Sequence, residues 1–152
     1  MRLIPAQLPD GGERFCGEEP PELIDVRDVE IEDVGPVRYD LRADLVSTEL
    51  IVQGALETEA RLACRRCGRA FAQRVREPDF RFSCTIHNPH QPVDLTPALR
   101  ESILLVLPAY PLCRDACRGL CPRCGADLNR GTCRCPPPEA PQGAPFGGLE
   151  MK

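Results

Sequence analysis

The chain has 152 residues, a formal net charge of −4, 42% hydrophobic and 5% aromatic residues, and no Trp. It carries no apolar run near the roughly 18–20 residues of a membrane-spanning helix, and it is too short for a barrel enzyme scaffold of roughly 200 residues or more. Seventeen prolines and twelve glycines imply many turns, and ten cysteines are the outlying count.

Residues 1–22 are rich in Pro, Gly and acids and read as an irregular N-terminal arm, with at most a short strand at Met1–Ile4. From Leu23 to Glu32 apolar and acidic residues alternate loosely, as a strand could. The clear β signal begins at Val37, where apolar and charged side chains alternate through Leu45. Leu50-Ile51-Val52 leads into Gly54, and Leu56, Thr58, Ala60 and Leu62 alternate against Glu57, Glu59 and Arg61. Phe71–Val75 and Phe80–Cys84 continue the pattern on either side of a break at Pro78. The connections are too short for parallel crossovers, so an antiparallel meander or small open barrel is predicted.

At Asp94-Leu95-Thr96-Pro97 the pattern changes. Thr96 is the predicted N-cap and Pro97 the first residue of a helix near 97–107, whose Ala98, Leu99, Ile103, Leu104, Val106 and Leu107 would plug the open face of the sheet. The predicted class is therefore α+β: a β-rich core over 23–110, a cysteine-rich zinc-binding segment over 111–135, and a Pro/Gly-rich tail over 136–152. Phe146 and Leu149 are residues of that tail able to tether it.

No apolar stretch of roughly 7–15 residues, as a secretory signal requires, stands at the N-terminus, and the chain is read as cytoplasmic with reduced thiols. Cysteines two residues apart suit chelation of one ion better than mutual disulfides. Cys121-x2-Cys124-x8-Cys133-x-Cys135 supplies four thiolates for a closed tetrahedral zinc site, with Asn129-Arg130-Gly131 turning the chain between the pairs. Cys64-x2-Cys67 and Cys113-x3-Cys117 would form a second such set, although 45 residues separate Cys67 from Cys113. Other partitions, with Cys117 in place of one of the last pair, are also open. Cys16 and Cys84 fit neither set and read as small buried apolar groups. The two CxxC stretches echo one another, each followed by a glycine, Gly68 or Gly125, that a tight turn would need.

Charge follows the cysteines. Residues 10–59 hold fifteen acids against four arginines, whereas 61–82 hold seven arginines against Glu77 and Asp79. Residues 113–135 hold five arginines against Asp115 and Asp127. Basic residues next to metal-bound turns are a common way to meet a phosphate backbone, and Arg65, Arg66, Arg69, Arg74 and Arg118 are the candidate contacts. A four-thiolate zinc site is itself formally −2, so part of this excess compensates it. Alternation assigns at least some of Phe71, Phe80 and Phe82 to the core, which argues against a base-stacking surface made of them.

Catalytic signatures are missing. Cys117-x3-Cys121-x2-Cys124 has the spacing of a radical-SAM iron–sulfur motif, but no barrel could follow it in this chain. His87 and His90 lie in a Pro-rich loop without a carboxylate pattern. No nucleophile elbow or phosphate loop is present, and the expectation is a binding protein, not an enzyme.

Three stretches resemble the YceD family, named for large ribosomal RNA subunit accumulation. They are Gly54 through Cys64-Arg65-Arg66-Cys67; Val93–Pro97 with Leu104–Pro108; and Leu112-Cys113-Arg114-Asp115-Ala116-Cys117-Arg118-Gly119-Leu120-Cys121-Pro122-Arg123-Cys124-Gly125-Ala126-Asp127-Leu128-Asn129. The resemblance implies a non-enzymatic factor for 23S rRNA accumulation or processing and large-subunit assembly. Its partner would be 23S rRNA precursor or a large-subunit ribosomal protein. Two departures stand out: Gly68 replaces the Leu that relatives carry after the first knuckle, and the loop before Asp94-Leu95-Thr96 shrinks to Thr85–Pro92. Since some relatives lack the C-terminal cysteines, the resemblance makes the metal a stabiliser. The rival readings are a protein-interaction adaptor and a metal- or redox-sensing regulator.

Overall fold

A computed structural model describes residues 1–24 and 31–136. The predicted tail beyond residue 136, with Phe146 and Leu149, and residues 25–30 of the loosely alternating stretch lie outside the described residues. The elements are β1 (Arg2–Leu3), β2 (Glu13–Glu19), β3 (Ile31–Val34), β4 (Val37–Val46), β5 (Glu49–Ala63), β6 (Ala70–Thr85), β7 (Val93–Asp94) and α1 (Thr96–Val106), with 3-10 turns at Pro5–Gln7 and Pro21–Ile24.

Alternation sets the sheet. In β4 the residues Val37, Leu41 and Ala43 are buried while Arg38, Asp40 and Arg42 face water. In β5 the even positions Leu50, Val52, Leu56, Thr58, Ala60 and Leu62 are all buried. The 15-residue β5 is the spine of the sheet. It pairs along its whole length with β6, and its other edge is shared in tandem by β4 and β3. All pairings are antiparallel, β2 extends the sheet beyond β4, and the sheet stays open. Thr58, the one polar side chain in this buried row, donates its hydroxyl to the Gly35 carbonyl at 2.9 Å.

Pro78 does not break the strand. Gly54 lies opposite Phe80 and Leu56 opposite Glu77, so Pro78 and Asp79 together face the single residue Ala55. This bulge inserts one residue and so reverses the parity of β6. Core-facing residues are Phe71 and Val75 before it, and Phe80, Phe82 and Cys84 after it. A proline is tolerated there because β6 is an edge strand, where no ladder hydrogen bond is lost. Gly54 is required on the facing strand: a Cβ there would lie 2.1 Å from the Asp40 carbonyl oxygen.

Part of the predicted irregular arm is a strand. Glu13–Glu19 pairs with Val37–Ala43 as β2, although it holds few apolar residues. Cross-strand ion pairs, Arg14 with Asp40 and Glu18 with Arg38, fasten it. Cys16, expected to be buried, is exposed on the outer face opposite Asp40, to which its thiol donates at 3.3 Å.

The helix begins one residue earlier than predicted. Thr96 is already helical, and the Asp94 carboxylate accepts its backbone N–H at 3.0 Å, taking the role expected of the Thr96 side chain. Leu99 and Ile103 are fully buried and Leu105 is 78% exposed, so one stripe of α1 covers the sheet. Each such large apolar side chain stabilises the fold by about 1.5–3 kcal/mol. No helix among the described residues is long and apolar enough to cross a membrane.

Candidate metal centres and their arginine surround

The hairpin between β5 and β6 is a turn of two cysteines. The Cys64 N–H donates to the Arg69 carbonyl at 2.9 Å, and the Gly68 N–H returns to the Cys64 carbonyl at 2.8 Å. The second CxxC repeats this geometry: the Cys121 N–H reaches the Ala126 carbonyl at 2.8 Å and the Gly125 N–H reaches the Cys121 carbonyl at 2.9 Å. Gly68 and Gly125 have φ of +67° and +71°, a left-handed conformation costly to residues with a Cβ. The sequence echo is thus one local structure used twice, with the backbone folded around sulfur.

The remaining cysteines complete two clusters. Cys64, Cys67, Cys113 and Cys117 form the first and Cys121, Cys124, Cys133 and Cys135 the second, with the sulfurs of each all within 4.8 Å of one another. In the first, Cys64 lies 3.8 Å from Cys117, and Cys67 lies 3.8 Å from Cys113, sulfur to sulfur. In the second, Cys133 lies 3.4 Å from Cys121. A zinc–sulfur bond of about 2.3 Å places the corners of a tetrahedron about 3.8 Å apart. All ten thiols are unpaired by disulfides. Either cluster could hold a metal ion.

Electrostatics fits that chemistry. Burial pushes the Cys64 thiol up, but the backbone amides of Cys113, Cys67 and Arg66 aimed at its sulfur outweigh this and bring it down to about 6. The amides of Cys124 and Arg123 lower Cys121 to about 6 as well. Cys113 is pushed up to about 12 by burial and by its thiol neighbours. Cys135 is pushed up to about 12, first by its bond with Cys124 and then by burial. Four sulfurs so close ionise together only when a cation shares their charge.

The partition separates Cys117 from Cys121 and Cys124. The three cysteines of the radical-SAM spacing therefore serve two different clusters, and no single cofactor can use them together.

Asp127 and Asn129, which the sequence did not single out as site residues, join the clusters. Both lie in the loop between the ligand pairs of the second cluster, and Leu120 and Asp127 form a β-bridge across its base. Asn129 donates from Nδ2 to the Cys117 sulfur of the first cluster at 3.5 Å and to the Asp127 carboxylate at 2.7 Å. Its Oδ1 accepts the Arg118 N–H at 2.8 Å and the Arg114 guanidinium at 2.9 Å. Asp127 in turn pairs with Arg69 of the first knuckle at 3.0 Å.

The five candidate contact arginines are all exposed, and they fall into two groups. Arg66 donates to the carbonyls of Cys117 (2.9 Å) and Asp115 (3.2 Å), Arg69 holds Asp127, and Arg74 pairs with Glu57 across the sheet. These three also tie the chain to itself. Arg65 lies over the ring of Tyr110, 5.3 Å from its centroid, and Arg118 sits beside the second knuckle with its backbone held by Asn129. Arg74 stands apart from the clusters, on the outer face of β6. Tyr110, 75% exposed, is a further aromatic beside this arginine group that sequence reasoning missed. Its one signal was its position between Pro108 and Pro111, just before Cys113. His87 and His90 are exposed in their loop.

Residues 83–151 match the family model described as large ribosomal RNA subunit accumulation protein YceD. That stretch includes the helix and every clustered cysteine except Cys64 and Cys67. The chain is 29% identical over 114 residues to an uncharacterized protein of Mycobacterium leprae, covering 66% of this chain and 52% of that protein. It is 31% identical over 103 residues to an uncharacterized protein of Mycobacterium tuberculosis, covering 59% of this chain and 50% of the relative. A third relative, the large ribosomal RNA subunit accumulation protein YCED homolog 1, chloroplastic, of Arabidopsis thaliana, is 34% identical over 58 residues, 38% of this chain and 18% of that protein. The chain thus spans about half the length of the mycobacterial relatives it matches. No solved structure matches it. Residues 83–151, which carry the helix and the cysteine-rich segment, are thus similar to the YceD family.

Proposed function

We propose that the chain is a non-enzymatic cytoplasmic factor that supports 23S rRNA accumulation and large-subunit assembly by binding rRNA or a ribosomal protein. Zinc in the two cysteine clusters orders the binding surface. The observation that carries this reading is the coincidence of the family match, over residues 83–151, with six of the eight clustered cysteines and the arginines of residues 113–135. The cysteine-bearing stretches 64–69 and 113–135 hold Arg65, Arg66, Arg69, Arg114, Arg118, Arg123, Arg130 and Arg134 against Asp115 and Asp127. Two zinc–tetrathiolate centres, each formally −2, would neutralise part of that excess and leave a net positive surface. Zinc is favoured over an iron–sulfur cluster because the sulfur spacing is that of a single tetrahedral ion.

A second reading has its own support: the acidic stretch 10–59 would dock a basic ribosomal protein. Deleting the gene and following subunit profiles on sucrose gradients tests both against no role at all. A deficit of free large subunits with accumulating 23S precursor, restored by the wild-type chain, is expected. Normal profiles would overturn the proposal. A ribosomal protein retained on the tagged chain after nuclease treatment would favour the adaptor.

A further inference from the structure

The first cysteine cluster fixes an aromatic ring against a guanidinium at the protein surface. Arg65 directly follows Cys64, and Tyr110 stands three residues before Cys113, so two ligands of one cluster set the distance between them. The contact is further held by the backbone, since the Arg65 N–H donates to the Pro111 carbonyl at 2.9 Å and Pro111 is fully buried. The ring is nonetheless 75% exposed. Beside it the chain of the second knuckle docks on the first, with the Leu120 N–H on the Arg66 carbonyl at 3.0 Å. Leu120 is 44% exposed there.

An exposed arginine–aromatic pair adds little to stability, a weak reason for leaving most of a tyrosine ring in water. The same pair suits an unpaired nucleotide: an aromatic face stacks any base, and a neighbouring guanidinium meets its phosphate or extends the stack. The neighbouring arginines make the surround electropositive, which disfavours a basic protein as the occupant.

We propose that Tyr110 and Arg65 form a stacking site for an unpaired base of single-stranded RNA, held in place by the first cysteine cluster. This rests on the RNA-binding reading above and names the form of RNA recognised. It also changes which residues carry it. Arg66 and Arg69 build the platform through Cys117 and Asp127, and Tyr110 with Arg65 makes the contact.

The chain has no Trp and two tyrosines, Tyr39 and Tyr110, so Tyr39→Phe leaves one intrinsic fluorophore at the site. In the zinc-loaded full chain carrying Tyr39→Phe, an unpaired RNA oligonucleotide is expected to quench Tyr110 emission saturably, and a duplex of the same sequence is not. Tyr110→Ala should weaken single-strand binding by about 5- to 150-fold, the range for loss of one stacked base, while Tyr110→Phe restores it. Arg65→Gln should lower the slope of log affinity against log salt by about 0.7, as for one phosphate contact on a single strand. If the parent chain binds RNA and Tyr110→Ala binds equally well, the stacking site is refuted and the RNA reading stands. If the parent binds no RNA, the RNA reading fails and the stacking site with it. A Tyr110→Ala chain that keeps its RNA affinity but loses a nuclease-resistant ribosomal protein would overturn the inference in favour of protein docking.

Discussion

Replacing Asn129 with Ala removes the side chain that reaches from the loop of the second cysteine cluster to a sulfur of the first. Four hydrogen bonds go: two from Nδ2, to the Cys117 sulfur and the Asp127 carboxylate, and two to Oδ1, from Arg118 and Arg114. Arg114 and Arg118 are exposed, so water replaces much of what they lose. The uncompensated loss is at the Cys117 sulfur, whose ionised form Asn129 favours. Removing such an outer partner of a metal ligand typically lowers metal affinity about 10- to 100-fold, equivalent to about 1.4–2.7 kcal/mol. Chelator competition on the zinc-loaded chain should show two release steps, assigned to the two clusters with Cys67→Ser and Cys135→Ser. Asn129→Ala should shift the step of the first cluster by that factor and leave two zinc ions per chain at saturation. An unshifted first step would refute the link between the clusters.

Other expectations follow from the fold. Leu56→Ala, at a fully buried spine position, should cost about 2–5 kcal/mol in urea unfolding, whereas Leu105→Ala on the exposed side of α1 should stay within about 0.5 kcal/mol. Chelation should remove ordered structure around residues 111–135, read as loss of amide-exchange protection there, and leave β4, β5 and β6 protected. The Arg14 guanidinium on the Asp40 carboxylate, aided by the Cys16 thiol, pulls that acid from 3.8 down to about 2. A depressed carboxylate stabilises the fold above its unfolded value near 4 and loses that contribution as pH falls toward 2. Carboxyl NMR titration should therefore place Asp40 near 2, and Arg14→Gln should return it toward 3.8.

What could be read from sequence was whatever one buried face dictates locally. The alternation of Val37–Leu45 and of Leu50–Leu62 marks β4 and β5 because every second side chain enters the core. Strand β2 escaped because its pairing depends on Asp40 and Arg38, 26 and 20 residues from their partners Arg14 and Glu18, and not on its own apolar content. The parity change between Val75 and Phe80 is visible in the sequence, yet it becomes a bulge only when Ala55 is seen opposite Pro78 and Asp79. The cysteine spacings marked the eight thiols as ligand candidates but left the placing of Cys117 open, and the structure brings it together with Cys64, Cys67 and Cys113. Asp127, Asn129 and Tyr110 were not legible as site residues, because their roles arise from contacts 12 to 58 residues apart or from a ring left outside the core.

Crosslinking the tagged chain to RNA in living cells, followed by sequencing of the recovered fragments, decides whether the chain contacts ribosomal RNA. Enrichment of 23S precursor at unpaired segments is expected, reduced in Tyr110→Ala and lost when the first cluster is broken by Cys64→Ser. Recovery of no ribosomal RNA above background from the intact chain would contradict the RNA reading.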